Sequence, residues 1–457
     1  MHLPEEIINK TKQEVRGRVL LPGETKYNQS RKLYNGMIDK HPALIIQCED
    51  VADIIYCLKI ADKENLPVSV KSGGHGFAGH ALVENGLVLD LSRLKGIYID
   101  TNKKTALVET GCTLADIDHA TQPFSLAVPS GIFGTTGIGG ITLGGGHGYF
   151  TRKYGLSIDN MLGASMVLAD GRYVNVNKNE YPDLFWAIRG GGGNFGVVTS
   201  FLFQLQPVGM DYAGLTLWPL EMADEVFRFY DHQIKNSGDD LSGFFLFMKV
   251  PPVPVFPESL HLKNFCGVFW NFTGPLSEAD KIFKPIHEFG PPVFEHIGSM
   301  PHTVLQTLFD EQNPPGMQLF VKGDFLDNVT NKAINEHIRF SKDIPTPFSF
   351  VHFYPVDGAA SRVGKSETAW SYRDARWSMI IAGADPDPSG RETIISWCKN
   401  YWNAVHPFSM GGGYSNFLMD EGQDSIKDSY GENYARLLEI KKKYDPYNLF
   451  CSNHNIK

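Results

Sequence analysis

No run of 18 apolar residues occurs in the 457-residue sequence, so no membrane-spanning helix is expected. C-x-x-C and H-E-x-x-H motifs are also missing, and the six cysteines (Cys48, Cys57, Cys112, Cys266, Cys398, Cys451) are scattered. Neither a structural zinc site nor a disulfide framework is predicted, and no metal is expected. Positive charge is in deficit: 42 Lys and Arg against 51 Asp and Glu leave −9, which disfavours a nucleic-acid partner. The opening MHLPEEIINKTKQEVRG mixes both charge signs and lacks the apolar core of a secretory signal, so a soluble, cytoplasmic protein is expected. Sequons at Asn28, Asn271 and Asn328 carry little weight without export.

Glycine, in contrast, is abundant at 46 residues, and much of it clusters at Gly73-Gly74, Gly137 to Gly148 and Gly190 to Gly196. Such clusters let backbone approach another group closely. Gly191-x-Gly193-x-x-Gly196 fits the dinucleotide-binding pattern, but that pattern must follow a strand and open a helix. Here Asp183 to Arg189 before it reads as helix and Val197 to Leu205 after it as strand, so a Rossmann site is rejected. Lys71-Ser-Gly-Gly-His-Gly76 instead follows the predicted strand Val68-Ser-Val70 with no helix directly after. Successive N–H groups in such loops can form a nest for a diphosphate. Three of them point to an extended ligand held on several sides; tight turns without a ligand are the alternative.

Along the chain, Leu44 to Ile46 reads as a strand, Val51 to Leu58 as a helix, and Leu87–Leu89, Ile97–Ile99 and Ala106–Val108 as short strands. Thr113 is the predicted N-cap of a helix reaching about Thr121, and Asp170-Gly171 a hairpin turn. Beyond Val208-Gly209, aromatic strands such as 244–250 and 348–354 alternate with helical stretches, as in an antiparallel α+β domain. From Gly411 a Gly-rich strand is expected, then a helix from Tyr430 to about Tyr444 whose Lys441-Lys-Lys443 run reads as a solvated face. No internal repeat is detectable.

The ordered motifs 71–76, Pro129–Gly140, Gly144–Gly148 with Arg152–Asn160, Asp183–Val197, and Tyr444–Phe450 with Asn453-His-Asn-Ile456 resemble the berberine bridge enzyme-like group of FAD-linked oxidases. That group belongs to the vanillyl-alcohol oxidase and para-cresol methylhydroxylase superfamily. The resemblance covers nearly the whole chain. It implies an α+β, two-domain fold: a split FAD-binding α+β domain (1–206 and 406–457) around a substrate-binding domain (207–405) with an antiparallel sheet covered by helices.

Residue by residue, the resemblance implies that His75 bonds covalently to the 8α carbon of FAD. It also implies cofactor contacts from Ser72, Gly73, Gly74 and Gly76, from Phe133, Thr135, Thr136, Gly137, Gly139, Gly140 and Gly145, from Asn194, Gly196, Val197 and Val198, and from Tyr414, Asn416, Asn453 and Asn455. Many members have a second tether, a cysteine, where this chain has Phe133, so a single link is expected; Cys112 reads as a small apolar residue beside a helix start. Lys71 stands where arginine is common and Ile141 where many plant members have histidine.

Oxidation of a C–H bond needs that bond aimed at the flavin and a base for the neighbouring O–H or N–H proton. Relatives carry charged residues on a central substrate-domain strand matched to Asp357–Val363; Ala359 and Ser361 at its inward places supply none. Tyr414, in the family's Y-x-N segment, is the leading base candidate, provided its pKa is lowered; a core tyrosine is the alternative. His147 is the second candidate, with a structural role as its alternative. Tyr149, Tyr354 and Trp370 are further pocket candidates. Thr136, compact and β-branched, matches a position associated with oxygen access and leans to oxidase. The expected activity is therefore oxidation of an alcohol, sugar or amine-type small molecule with O2 reduced to H2O2. A dehydrogenase with another acceptor, and a flavin-binding protein without turnover, are the other readings, and the chain is expected to be a monomer or homodimer.

Overall fold

Residues 3–457 are described by a computed structural model. The first sheet joins β1 (Arg18–Leu20), β2 (Leu44–Gln47), β3 (Val68–Lys71) and β4 (Leu87–Asp90) in the order β1-β2-β4-β3. β4 runs parallel to both β2 and β3, while β1 is antiparallel to β2. The helix Val51–Lys63 begins where the Asp50 side chain accepts the Asp53 N–H, and it buries Ile54, Cys57, Leu58 and Ala61 against this sheet.

β5 (Ile97–Asp100), β6 (Thr105–Glu109), the short β7 (Leu126–Ala127), β8 (Met161–Val167), β9 (Tyr173–Asn177) and β10 (Val197–Gln204) follow. All but β7 form an antiparallel sheet, β5-β6-β10-β8-β9; β7 pairs with β11 (Gln206–Pro207). The Asp170-Gly171 turn links β8 to β9 as expected. Thr113 caps the helix Leu114–Thr121 in a full capping box with Asp116.

The third sheet contains β12 (Met210–Pro219), β13 (Leu241–Lys249), β14 (Asn264–Phe272), β15 (Phe294–Pro301), β16 (Gln318–Leu326), β17 (Phe350–Pro355) and β18 (Trp377–Asp385). Their order is β15-β12-β14-β13-β17-β18-β16, with every neighbouring pair antiparallel. Strand alternation gives the sheet two apolar faces. Phe245, Phe247, Trp270, Phe353 and Trp377 pack under helices such as Ala223–Asn236 and Arg391–Val405. Phe244, Phe269, Tyr354, Ile380 and Ala382 form the opposite face, which also gathers Ile132 and Tyr149 from the earlier part of the chain.

Several expectations are corrected here. No strand follows Gly411: Gly411 and Gly412 take φ of +76° and +56°, left-handed conformations that end any extended run. The helix expected from Tyr430 to about Tyr444 starts four residues later, at Tyr434, and ends at Tyr444; Tyr430 instead closes a separate helix, Gln423–Tyr430, with a tight turn between the two. Lys441 is not solvated but 3% exposed, with its ammonium on Asp445 and on the carbonyls of Asn194 and Phe450. The Asp357–Val363 segment is a loop with a short turn, because β17 has already ended at Pro355. Its Asp357 accepts from Arg152 Nε at 2.8 Å, and Arg152 also donates to the Gly238 and Ile234 carbonyls. That arginine is 4% exposed and ties residues near the glycine clusters to the middle of the chain.

Candidate active site

β3 delivers the first glycine loop. Ser72 Oγ donates to Thr110 O at 2.6 Å, and Gly73 lies so near Gly137 that a Cβ on it would stand 2.4 Å from the Gly137 nitrogen. The first two glycine clusters therefore abut, and only glycine allows it. The second cluster is not a loop throughout: residues Ile138–Gly144 form a short helix. Lys71 turns away, donating to Ser30 O at 2.6 Å beside the buried Asp90.

These segments enclose a cavity of about 330 Å³. Of the expected residues, Ser72, Gly73, Gly74, His75 and Gly76 line it from the first loop, and Phe133, Thr136, Gly137, Gly139 and Gly140 from the second. His147, Asn194, Gly196 and Val198 line it too, as do Tyr414, Asn416 and Asn453 from the end of the chain. Four expected contacts lie elsewhere. Thr135 is exposed, with its N–H turned to the Asp310 carboxylate. Gly145 packs against Trp370 and Tyr414, Val197 belongs to the core beneath the first sheet, and Asn455 is not in the lining. Cys112 is buried in the core, Trp370 packs on Phe325, and Tyr149 donates weakly to Leu305 O, so none of the three lines the cavity; Tyr354 does.

His75 is half-buried, and desolvation pushes its pKa down to about 4, so the imidazole is neutral near pH 7. Thr136 Oγ1 lies 3.4 Å from its Nδ1. His147 is 5% exposed, and neither ring nitrogen has a partner. Burial holds its pKa at about 3. Its ring centroid is 4.5 Å from that of Tyr414 and 5.1 Å from that of Tyr354. The Tyr414 oxygen accepts from Gly146 N at 2.9 Å and Asn416 Nδ2 at 2.8 Å. Those donors favour the phenolate, yet burial outweighs them and raises the pKa to about 12. The lowered pKa that a base role for Tyr414 requires is thus not found.

The strand expected at 348–354 faces the cavity with the expected Tyr354, and with Phe350 and His352, which had not been singled out. On β17, residues 350, 352 and 354 share one face; Phe350 and Tyr354 line the cavity, and His352 Nδ1 shares a 2.8 Å hydrogen bond with the Tyr354 hydroxyl. The period-2 pattern of Phe348-Ser-Phe-Val-His-Phe-Tyr354 held that signal. His80, Asn313 and His454 also line the cavity without having been singled out.

The residues fit an extended cofactor. At Gly76, Gly140 and Gly193 an added Cβ would meet no protein atom within 4 Å, so these backbones border open space. Buried polar atoms without partners, His80 Nε2, Asn453 Oδ1 and both His147 nitrogens, belong to residues of the lining.

Comparison with known proteins decides the family. Residues 42–177 match the FAD binding domain family, and residues 413–457 match the berberine and berberine like family. An FAD-linked oxidoreductase of Dictyostelium discoideum is 30% identical over 458 residues, covering 99% of this chain and 97% of its own. The chain belongs to the berberine bridge enzyme-like FAD-linked oxidoreductases. The (R)-6-hydroxynicotine oxidase of Paenarthrobacter nicotinovorans is 27% identical, with 97% of each chain covered. The crystal structure of a 6-hydroxy-D-nicotine oxidase from Arthrobacter nicotinovorans shares the fold, with a TM-score of 0.85 at 24% identity over 97% of this chain and 98% of that one. The protein is accordingly an FAD-dependent oxidoreductase, and its cavity is built by both matched regions.

Burial also gives this flavoenzyme a pH signature. His80, His147 and His352 are held at about 3. Histidine in the unfolded chain titrates near ~6.5, so below that pH the unfolded state binds more protons. The stability from keeping these rings neutral is complete above about pH 6.5 and is lost as pH falls toward the folded values. The thermal midpoint followed by circular dichroism is expected to fall steadily from pH 7 to pH 4, with a shallower slope in His147→Phe.

Proposed function

We propose that the protein is an oxidase that removes hydride from an alcohol, sugar or amine-type small molecule and passes the electrons to O2, giving H2O2. The observation that carries this reading is the cavity itself, where glycine backbone, the neutral His75 and the unpartnered His147 face one space beneath the β17 strand. FAD, when bound, supplies the two-electron acceptor for a substrate C–H and the route to O2. His75 is its single covalent anchor, since Phe133 has no nucleophile to offer.

His147 accepts the substrate's O–H or N–H proton at a ring nitrogen, for which it is placed by its position in the lining and by two nitrogens free of other partners. Tyr414, fixed by the Gly146 and Asn416 donors, holds one side of the substrate space. Ile132, Phe133, Phe350 and Phe417 line the cavity with apolar surface that excludes water, and a flat apolar substrate with one oxidisable carbon suits it better than a polyhydroxylated sugar. Thr136 supports the oxidase reading by its compact shape in the cavity wall.

Anaerobic mixing with panels of aromatic alcohols, cyclic amines and carbohydrates tests the activity: at least one apolar compound should bleach the flavin in a single turnover. Rapid reoxidation by O2 in stopped flow supports the oxidase, whereas slow reoxidation with fast transfer to a quinone makes the enzyme a dehydrogenase. The tether has its own outcome. Acid-precipitated wild-type protein should keep its flavin, seen as fluorescence in a denaturing gel, and His75→Ala should release nearly all of it.

A further inference from the structure

Tyr34 lies outside the glycine motifs, yet its ring lies flat on the His75 imidazole, with centroids 4.0 Å apart and planes 17° from parallel. The chain holds it there from both ends. Its N–H donates to Gly74 O at 3.1 Å, its carbonyl accepts from Gly316 N at 2.8 Å, and its hydroxyl donates to Asn313 O at 3.0 Å. The next residue, Asn35, bridges the Phe77 and Leu319 carbonyls at 2.7 and 3.0 Å. Rotation about the last side-chain bond of histidine is soft, so a free imidazole would sample many planes. Here an aromatic slab covers one face while the Thr136 hydroxyl stands at the Nδ1 edge. Stacking of this kind adds attraction beyond area burial and favours one orientation of the ring.

We propose that Tyr34 is the positioning residue for covalent flavin attachment: it fixes the plane of His75 so that a ring nitrogen meets the 8α methyl carbon of FAD. This rests on the reading of His75 as the tether. In the attachment an N–C bond forms while one methyl C–H bond and the imidazole N–H bond break. Both hydrogens leave as protons, and the two electrons released pass through the flavin to O2. In sum, imidazole N–H, ring CH3 and O2 give imidazole N–CH2–ring and H2O2. Tyr34 takes part in none of the bond changes and acts by holding a near-attack geometry, where a misplacement of about 1 Å can cost ~10²-fold. Because Asn313 and Gly316 belong to the segment before β16, that geometry also depends on the middle of the chain being folded.

The test uses full-length wild type, Tyr34→Phe and Tyr34→Leu produced under riboflavin limitation, then incubated with excess FAD in air and sampled into acid over time. Flavin retained on the precipitated chain gives the attachment rate, and quenching of FAD fluorescence on first mixing gives the non-covalent Kd. Tyr34→Leu is expected to attach flavin about tenfold to a hundredfold more slowly with its Kd changed less than about threefold, and Tyr34→Phe, which keeps the ring, to stay within about threefold of wild type. Equal rates for Tyr34→Leu and wild type overturn the proposal, as does a Kd that weakens in step with the rate. Should Tyr34→Leu fail to fold, Tyr34→Met carries the same comparison. Wild type that keeps no flavin in acid removes the tether reading itself; wild type that labels while His75→Ala does not upholds that reading whatever Tyr34 does.

Discussion

Single-turnover flavin reduction in His147→Phe is expected to be slower than in wild type by about 10²- to 10⁴-fold, the range for loss of a positioned general base. Phenylalanine keeps a planar ring among Tyr354, Tyr414 and Phe417, whose centroids lie 4.5 to 5.1 Å from that of His147, so packing survives and the proton acceptor is lost. The pH profile supplies the second arm. Only the neutral imidazole accepts a proton, and with a pKa held at about 3 by burial it is neutral throughout the working range. Wild-type reduction should therefore be flat from about pH 5 upward, apart from any titration of the substrate. If Tyr414 were the base, its pKa of about 12 would make the rate climb about tenfold per pH unit across neutrality. A climbing profile that Tyr414→Phe abolishes would reassign the proton to the phenol and leave His147 a wall residue.

The second large effect is on stability. Lys441→Met should destabilise the protein by about 3–5 kcal/mol, because it strands a buried carboxylate. Asp445 is 2% exposed; its oxygens accept the N–H groups of Leu449 and Phe450 while Lys441 Nζ supplies the charge at 2.6 Å. The same ammonium holds the carbonyls of Asn194 and Phe450, two residues that line the cavity. Urea unfolding measures the loss. The control is Lys442→Met, a neighbouring exposed lysine, which should stay within about 0.5 kcal/mol of wild type. Similar losses in both would mean that the run of lysines acts only as a charged face.

These two residues mark where the sequence was legible and where it was not. Glycine spacing and turn chemistry act over a few residues, so the loops around His75, the Asp170-Gly171 hairpin and the Thr113 cap could all be read locally. Lys441 could not, since three consecutive lysines point in three directions around a helix, and only contacts with residues near 194 and 450 determine which one is enclosed. The strand carrying His352 and Tyr354 had a visible period of two, but nothing local said which face met the cofactor cavity. The central strand was instead expected at Asp357–Val363, with Ala359 and Ser361 facing inward; that segment is a loop outside the cavity whose Asp357 holds Arg152. Tyr34 lay beyond reach for a related reason: its partners lie about 40 residues on at His75 and about 280 residues on at Asn313.

The stitching of residues 193 and 194 to 453–456 bears on biosynthesis. Asn194 Nδ2 donates to His454 O, Asn453 Nδ2 to Gly193 O, and Ile456 N to Asn194 Oδ1, each closing a loop of about 260 residues. Contacts so distant in sequence form late, because the entropy of loop closure must be overcome first. On the ribosome, the earlier sheets can assemble while the cradle stays open on one side, and it is completed only after residue 456 has left the exit tunnel. Loading of the cofactor is thereby deferred until the seven-stranded sheet has been made, and a nascent chain stalled before residue 450 would be expected to fold in part yet hold no flavin.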